Sequence, residues 1–224
     1  MEPRCTVTFD CAHIPLPSHA LFVGSSLSGK TRLCLHFIRN PHIFSPPPSR
    51  ILLYYDQFQD TYLEVKKELE TLGIELKLFK GCEGLSIDTV PACEDGGQTL
   101  VIIDDFSELT SSSYDIAKLV CNGRHRGISV YLVWHSLFNK HPASRLICQN
   151  IHLYFFLPSL RLESQLRTFG AQLGIQKALL SAYHQVQADQ EEEYRYVLLD
   201  AGPHTPPILR VRSHIHRPIQ YTYS

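Results

Sequence analysis

The most informative part of the chain is "LFVGSSLSGKTRL", residues 21–33. Four of its residues have the spacing G-x-x-x-x-G-K-[ST], which is typical of a phosphate-cradling loop: Gly24, Gly29, Lys30 and Thr31. The apolar strand "HALFVGSS" leads into the loop, and "KTRLCLHFIRN" follows it as a predicted helix. Because glycine has no side chain, the backbone N–H groups can close around phosphate oxygens at the positive end of that helix. The stretch therefore predicts a strand–loop–helix unit that binds a nucleotide.

Each part of the loop has an expected task. Lys30 reaches the β- and γ-phosphates, and the Thr31 hydroxyl takes a coordination place on Mg²⁺. The predicted cofactors are therefore ATP and Mg²⁺. The residues expected to bind the nucleotide are Gly24, Ser25, Ser26, Leu27, Ser28, Gly29, Lys30, Thr31 and Arg32.

A second signal is the hydrophobic strand "LVIIDDF", which ends in Asp104 and Asp105. An acid at such a strand end can hold Mg²⁺ through water, and a second acid can polarise the attacking water. Asp104 is expected to serve the metal together with Thr31, and Asp105 the water, with Glu108 as a reserve candidate for the base. The simpler explanation is that the two acids are solvated residues at an ordinary strand end. The phosphate loop elsewhere in the chain favours a catalytic role for them instead.

The remaining elements alternate between strands and helices. Further strands are predicted at 50–55, 74–79, 99–106, 128–136 and 151–157, and further helices at 60–73, 111–122, 143–150 and 162–174. The end of the chain, "YRYVLLDAGPHTPPILRVRS", is expected to form two strands joined by a turn. This order predicts an α/β P-loop NTPase with a mostly parallel sheet, helices on both faces and a C-terminal β-hairpin.

Composition narrows the class of protein. A chain of 224 residues is expected to form one domain, 1–224, and a net charge of −1 excludes a basic coat for nucleic acid. The seven cysteines include no C-x-x-C pair, which favours reduced thiols over zinc or disulfides. The start "MEPRCTVTFDC" lacks the apolar run of a signal peptide, and no apolar run is long enough to cross a bilayer. We expect a soluble, intracellular protein with no membrane partner.

Three stretches resemble viral genome-packaging ATPases of the FtsK–HerA superfamily, of the type carried by poxviruses and by Polinton or adintovirus elements. They are "VCNGRHRGISVYLVWHSLFNK", with its Gly-Arg-His turn, "LPSLRLESQLRTFGAQLG", and the closing hairpin "YVLLDAGPHTPPILRVRS". The resemblance covers about residues 20–215. It departs from the family at the end of the strand after the turn, where His135 replaces a glutamine, and at "LPS", which stands in place of Asn-Pro.

The resemblance implies an ATP-driven motor that translocates double-stranded DNA without sequence preference, packing a viral or transposon-borne genome into a capsid. It implies a homo-oligomeric ring, a capsid or portal vertex as partner, and a place in the host nucleus or at a viral assembly site. The motifs and the resemblance together give Lys30, Asp104, Asp105, Arg124 and His135 as the expected catalytic residues.

Two of these assignments compete with plainer ones. Arg124 can offer its guanidinium group to a neighbouring subunit's γ-phosphate, or it can be one charge of a solvated basic turn. The alternative arginines for the first task are Arg126, Arg161 and Arg167. His135 can sense the γ-phosphate or align water, or it can be an ordinary histidine near the edge of the sheet.

Two other functions stay open: a small-molecule or nucleotide kinase, and a non-catalytic remnant that binds nucleotide without turnover. No arginine-rich lid follows the acidic strand, which speaks against the kinase. DNA phosphates could meet the basic residues Lys118, Arg124, Arg126, Lys140, Arg145, Arg210, Arg212 and Arg217. The run "DQEEE", 189–193, is expected to be a solvated loop, and "HIH", 214–216, is too short to indicate a metal site.

Overall fold

The structure, a computed structural model, describes residues 6–9, 14–91, 93, 96–217 and 219–223. In this part of the chain ten strands form one sheet, and two short strands pair separately. The strands are β1 (Thr6–Phe9), β2 (Ile14–Pro15), β3 (Ala20–Val23), β4 (Phe44–Ser45), β5 (Arg50–Tyr55), β6 (Glu75–Lys80), β7 (Thr99–Asp104), β8 (Ile128–Trp134), β9 (Leu153–Phe156), β10 (Val197–Asp200), β11 (Val211–Ser213) and β12 (Ile219–Tyr223). The helices are α1 (Lys30–Arg39), α2 (Thr61–Thr71), α3 (Ser107–Ser112), α4 (Tyr114–Asn122), α5 (Pro142–Asn150), α6 (Leu162–Gln172) and α7 (Gln176–Ala188).

The sheet has the strand order β1-β12-β11-β10-β9-β3-β8-β7-β5-β6. The six strands from β9 to β6 in this order are parallel to one another, whereas β10 pairs antiparallel with β9, and β11, β12 and β1 continue the sheet with antiparallel pairs. Since β8 lies between β3 and β7, the residues that follow these three strands meet at one edge of the sheet. The predicted α/β class with a mostly parallel sheet is confirmed.

Helices cover both faces of the sheet. All six residues of β7 are buried, as its continuous apolar run predicts for a strand with helices on either side. Leu100 and Ile102 pack in the core that includes α1 and α2, whereas Val101 and Ile103 pack in the core that includes α4 to α7. This alternation follows from the two-residue period of a strand.

The C-terminal hairpin is also as predicted, with Leu198 of β10 opposite Arg212 of β11. Arg212 is 7% exposed and pairs with Asp200 at 3.2 Å. The hairpin joins the parallel strands through β9, and β12 and β1 extend the sheet beyond it. Neither β12 nor β1 is part of the sequence-based prediction.

Two helical regions differ from the prediction. The single helix expected at 111–122 is divided into α3 and α4, because the Ser113 hydroxyl accepts a 3.2 Å hydrogen bond from the Ile116 N–H group and starts a new helix. Helix α7 is absent from the prediction, although its buried residues follow helical spacing: Ala178, Leu179, Ala182, Tyr183 and Val186. The five cysteines in the described residues form no disulfide.

Candidate nucleotide-binding site

The phosphate loop, residues 24–29, follows β3, which is an interior strand of the sheet, and leads into α1. Gly24 has no space for a side chain, because a Cβ atom there would lie 2.5 Å from the Ser28 hydroxyl oxygen and 3.2 Å from the Leu157 side chain. Gly29 has a φ of +91°, a left-handed value that glycine adopts most easily. The shape of the loop therefore requires both glycines, and α1 begins at Lys30 as predicted.

The Asp104 carboxylate is held by two hydroxyl groups. Thr31 Oγ1 donates a 2.8 Å hydrogen bond to Asp104 Oδ1, and the Tyr62 hydroxyl of α2 donates one of 2.8 Å to Oδ2. Asp104 is 3% exposed, and burial raises the pKa of its carboxyl group, whereas the two hydrogen bonds act in the opposite direction. Tyr62 is not among the predicted site residues, since no local motif distinguishes it from the other apolar residues of α2.

Lys30, His135 and Asp105 form a chain of polar contacts. Lys30 Nζ donates to the carbonyl oxygens of Gly24 at 3.0 Å and Ser25 at 2.7 Å, and it lies 3.4 Å from His135 Nδ1. His135 Nε2 lies 2.9 Å from Asp105 Oδ1. Because an ammonium group only donates, Nδ1 acts as acceptor and Nε2 carries the proton donated to Asp105. Burial lowers the pKa of Lys30, while Asp105 and Asp104 oppose that shift.

The backbone at Asp105 is unusual. Its φ is +65°, a left-handed value that is uncommon outside glycine and better tolerated by Asp and Asn than by most residues. Thus Asp104 continues the ladder of β7, whereas Asp105 leaves it and meets the residue after β8. The two adjacent acids consequently have different partners.

The geometry fits Mg²⁺ and phosphate. Thr31 Oγ1 donates its proton to Asp104, which leaves the lone pairs of the hydroxyl oxygen free to ligate Mg²⁺, and the Asp104 carboxylate could hold a water of the ion. The Ser28 hydroxyl oxygen is buried with no hydrogen-bond partner in the described part of the chain, and a phosphate oxygen would supply one. This arrangement can hold the Mg²⁺ complex of a nucleotide.

The other predicted loop residues lie at the surface. Ser25, Ser26 and Leu27 are exposed, and Leu27 has a φ of +64°, which costs about 1–2 kcal/mol for a residue with a side chain. Arg32 forms an ion pair with Glu193 of the segment after α7. The expectation of a solvated loop at 189–193 is wrong for Glu192, whose side chain is 9% exposed and contacts His214, His216 and Arg217.

Two cavities of about 360 Å³ flank the phosphate loop and share Ser25 and Ser26. The first, called the His135 cavity, is also lined by His135, Ser136, Ser159, Arg161, Leu162 and Gln165. The second, called the Tyr194 cavity, is also lined by Leu27, Ser28, Gly29, Arg32, Leu33, Leu157, Pro158, Glu193, Tyr194 and Arg195. Glu108, the reserve candidate for the catalytic base, lines a third, wider cavity together with Asp105 and His135. It therefore lies in the same region as the acids of β7.

Arg124 lies at the amino ends of the parallel strands, whereas the phosphate loop lies at their carboxyl ends, which is the opposite edge of the sheet. It precedes β8, whereas the loop follows Val23, which pairs with Trp134, the last residue of β8. The seven residues of β8 span roughly 20 Å at about 3.3 Å per residue. The exposed Arg124 side chain cannot reach the phosphate loop of its own chain across that distance.

The alternative arginines have different surroundings. Arg161 lines the His135 cavity, close to its own phosphate loop. Arg126 donates to the carbonyl oxygen of Ile87, and Arg167 pairs with Glu163 at 2.8 Å. Of the candidates for DNA contact, Lys118, Lys140 and Arg145 are exposed, whereas the ion-paired Arg212 is buried.

Two kinds of feature are absent from the described residues. No helix among them has the length and apolarity needed to span a membrane. The same ranges contain no group of three or more His, Cys, Asp or Glu side chains arranged to hold a metal ion.

Solved structures show the same fold. The genome-packaging NTPase B204 from Sulfolobus turreted icosahedral virus 2 in complex with AMP is 16% identical, with a TM-score of 0.53 over 90% of this chain and 98% of that chain. The same protein with AMPPCP is 14% identical, with a TM-score of 0.52 over 84% and 94%. B204, the DNA-packaging ATPase from Sulfolobus turreted icosahedral virus, is 15% identical, with a TM-score of 0.52 over 82% and 92%.

By sequence, no family model and no curated protein matches the chain. The similarity to B204 concerns the fold, and the kinship with the poxvirus and Polinton type stays a prediction. With its glycine loop between β3 and α1 and its acids at the end of β7, the chain has the fold of a P-loop NTPase.

Proposed function

We propose that this chain is an ATPase that translocates double-stranded DNA and packages a viral or transposon-borne genome into a capsid. The observation that carries the ATPase activity is the meeting of Lys30, Thr31, Asp104 and His135 at the carboxyl ends of β3, β7 and β8. These strands are adjacent, so the phosphate loop, an acid for the metal and a polar group for water share one site. A simple phosphate-binding loop would not need the acids or the histidine.

In this proposal each side chain has a task. Lys30 neutralises charge on the β- and γ-phosphates, and Thr31 and Asp104 hold Mg²⁺. When bound there, the ion would offset the negative charge that develops on the phosphate oxygens. Asp105 accepts a hydrogen bond from the Nε2–H group of His135, which fixes the tautomer of the ring, and it polarises the attacking water. His135 thereby keeps Nδ1 as an acceptor. When Lys30 contacts the phosphates instead of the ring, Nδ1 is free to accept a hydrogen bond from the water that attacks the γ-phosphate.

Arg124 completes the site of an adjacent subunit. Its position at the far edge of the sheet excludes its own phosphate loop, whereas a ring of identical chains can bring one chain's far edge to the next chain's site. A guanidinium group supplied in this way stabilises the transition state. The single domain and the homo-oligomeric ring are parts of the same proposal.

Double-stranded DNA is the proposed substrate that the motor translocates. Lys118, Lys140 and Arg145 are exposed and can contact DNA phosphates, which gives binding without sequence preference. The proposal is supported by the similarity of fold to B204, described as a DNA-packaging ATPase. The proposed protein partner of the motor is a capsid or its portal vertex.

The test is the rate of ATP hydrolysis with and without double-stranded DNA, measured on the assembled oligomer at low and high salt. We expect stimulation by DNA of any sequence, which fades as salt rises because phosphate contacts release counterions. Lys30→Ala serves as the inactive control. An unchanged rate with DNA would overturn the motor, and phosphate transfer to an added acceptor would indicate a kinase. Binding of ATP without turnover would indicate a non-catalytic remnant.

A further inference from the structure

The two sides of the phosphate loop are chemically different. Strands β8 and β9 flank β3 on opposite sides. His135 follows β8 and lines the His135 cavity, whereas Leu157 and Pro158 follow β9 and line the Tyr194 cavity. Because the γ-phosphate must lie near His135 and Asp105 for hydrolysis, the rest of the nucleotide must leave the loop on the Tyr194 side.

The Tyr194 cavity has surfaces that suit a nucleoside. Leu33, Leu157 and Pro158 contribute apolar wall, while the Arg32 guanidinium lies 5.2 Å from the centre of the partly buried Tyr194 ring. The ion pair with Glu193 holds the guanidinium in this position. A volume of about 360 Å³ falls within the roughly 300–1,000 Å³ that is common for small-molecule sites.

The Tyr194 ring also packs against two histidine rings. It stacks on His36 of α1 at 4.1 Å between ring centres and meets the edge of His216 at 5.5 Å. Glu192, two residues before Tyr194, contacts His214, His216 and Arg217, so the segment is anchored to the loop after β11. A planar side chain that is already ordered loses little entropy when a base packs against it.

We propose that the Tyr194 cavity binds the base and ribose of a nucleoside triphosphate, with the base packed against the Tyr194–Arg32 pair. This inference rests on the proposed ATPase function and deepens it, because it makes the site selective for nucleotides over inorganic polyphosphate. The phosphate loop alone binds any polyphosphate chain. Tyr194 and Arg32 distinguish a chain that carries a base from one that does not.

Calorimetric titration of the full chain with ATP and with inorganic tripolyphosphate, both in Mg²⁺, tests this assignment. Tyr194→Ala is expected to weaken ATP binding about tenfold or more, because the Arg32 guanidinium loses the ring that supports it and the base loses this packing surface. Tripolyphosphate binding is expected to stay unchanged. Tyr194→Phe keeps the ring and is expected to bind ATP within about twofold of the wild-type chain. Tyr114→Ala removes an exposed aromatic ring on α4, away from the cavity, and serves as the matched control.

The outcomes separate this inference from the function on which it rests. Equal losses for ATP and tripolyphosphate, or no loss for either, would overturn the nucleoside cavity while leaving the phosphate site. A wild-type chain that binds neither compound would overturn both. If Tyr194→Ala fails to fold, Tyr194→Leu keeps an apolar side chain without the flat ring, and the same selective loss of ATP affinity is expected.

Discussion

The Thr31 hydroxyl and the Asp104 carboxylate are joined by a 2.8 Å hydrogen bond across 73 residues of sequence. Their strands, β3 and β7, are not neighbours, because β8 lies between them. The contact passes over the carboxyl end of β8, where His135 follows the strand. The phosphate loop, the acid and the histidine therefore form one site, and a substitution of one of these residues should alter the hydrogen bonds of the others.

Tyr62→Phe should weaken the metal site without unfolding the protein. The Tyr62 hydroxyl donates to Asp104 Oδ2, and its removal leaves a buried carboxylate oxygen without that donor. We expect a severalfold rise in the Mg²⁺ concentration that gives half-maximal ATPase activity. Tyr55→Phe, in the same group of rings, is the control and should show the wild-type Mg²⁺ dependence. If the two variants titrate alike, Tyr62 does not position Asp104.

His135→Ala and His135→Gln should differ in rate. Alanine removes the contacts with Lys30 and Asp105, and we expect single-turnover hydrolysis to fall by about 100-fold. A glutamine amide can accept from Lys30 and donate to Asp105, so His135→Gln should keep most of the activity. ATP affinity should change little in either variant. Wild-type turnover by His135→Ala would remove the histidine from the reaction.

Arg124→Ala should bind ATP normally and hydrolyse it about 10³–10⁵-fold more slowly, as expected for a transition-state arginine. Mixing Arg124→Ala with Lys30→Ala subunits tests the action across an interface. An Arg124→Ala subunit has an intact phosphate loop, and a Lys30→Ala neighbour can supply the guanidinium group. We expect partial recovery of ATPase activity. Mixed rings that stay inactive would show that Arg124 does not complete a neighbouring site.

His19 should make the protein sensitive to acid. Its ring is fully buried, Nδ1 accepts from the Val130 N–H group at 3.0 Å, and burial, with His152 and Arg124, lowers its pKa to about 3. The unfolded chain protonates near pH 6.5 and the folded chain only near pH 3, so the contribution to stability is lost as pH falls through this range.

The variant His19→Asn keeps an acceptor for the Val130 N–H group but does not titrate. Between pH 7 and pH 5, its free energy of unfolding should fall less than that of the wild-type chain, by about 2 kcal/mol. Urea unfolding at several pH values measures this difference. Parallel pH profiles for the two chains would contradict the assignment.

Local features of the sequence determined the frame of the protein. The spacing of Gly24 and Gly29 requires a tight loop between a strand and a helix, and the run "LVIID" is too apolar for a strand with a solvated face. These signals act over a few residues, so the loop, the acids and the parallel strands could be predicted. The single domain, the ring and the DNA partner stay predictions.

Tertiary structure alone decided how these parts meet. The order of the strands places His135 between Lys30 and Asp105, and the packing of α2 brings Tyr62 to Asp104. It also places Arg124 at the far edge of the sheet and buries Glu192, although its acidic run is typical of a solvated loop. Such contacts join residues far apart in the chain, and their free energy depends on the packing of the whole sheet. No short pattern in the sequence therefore encodes them.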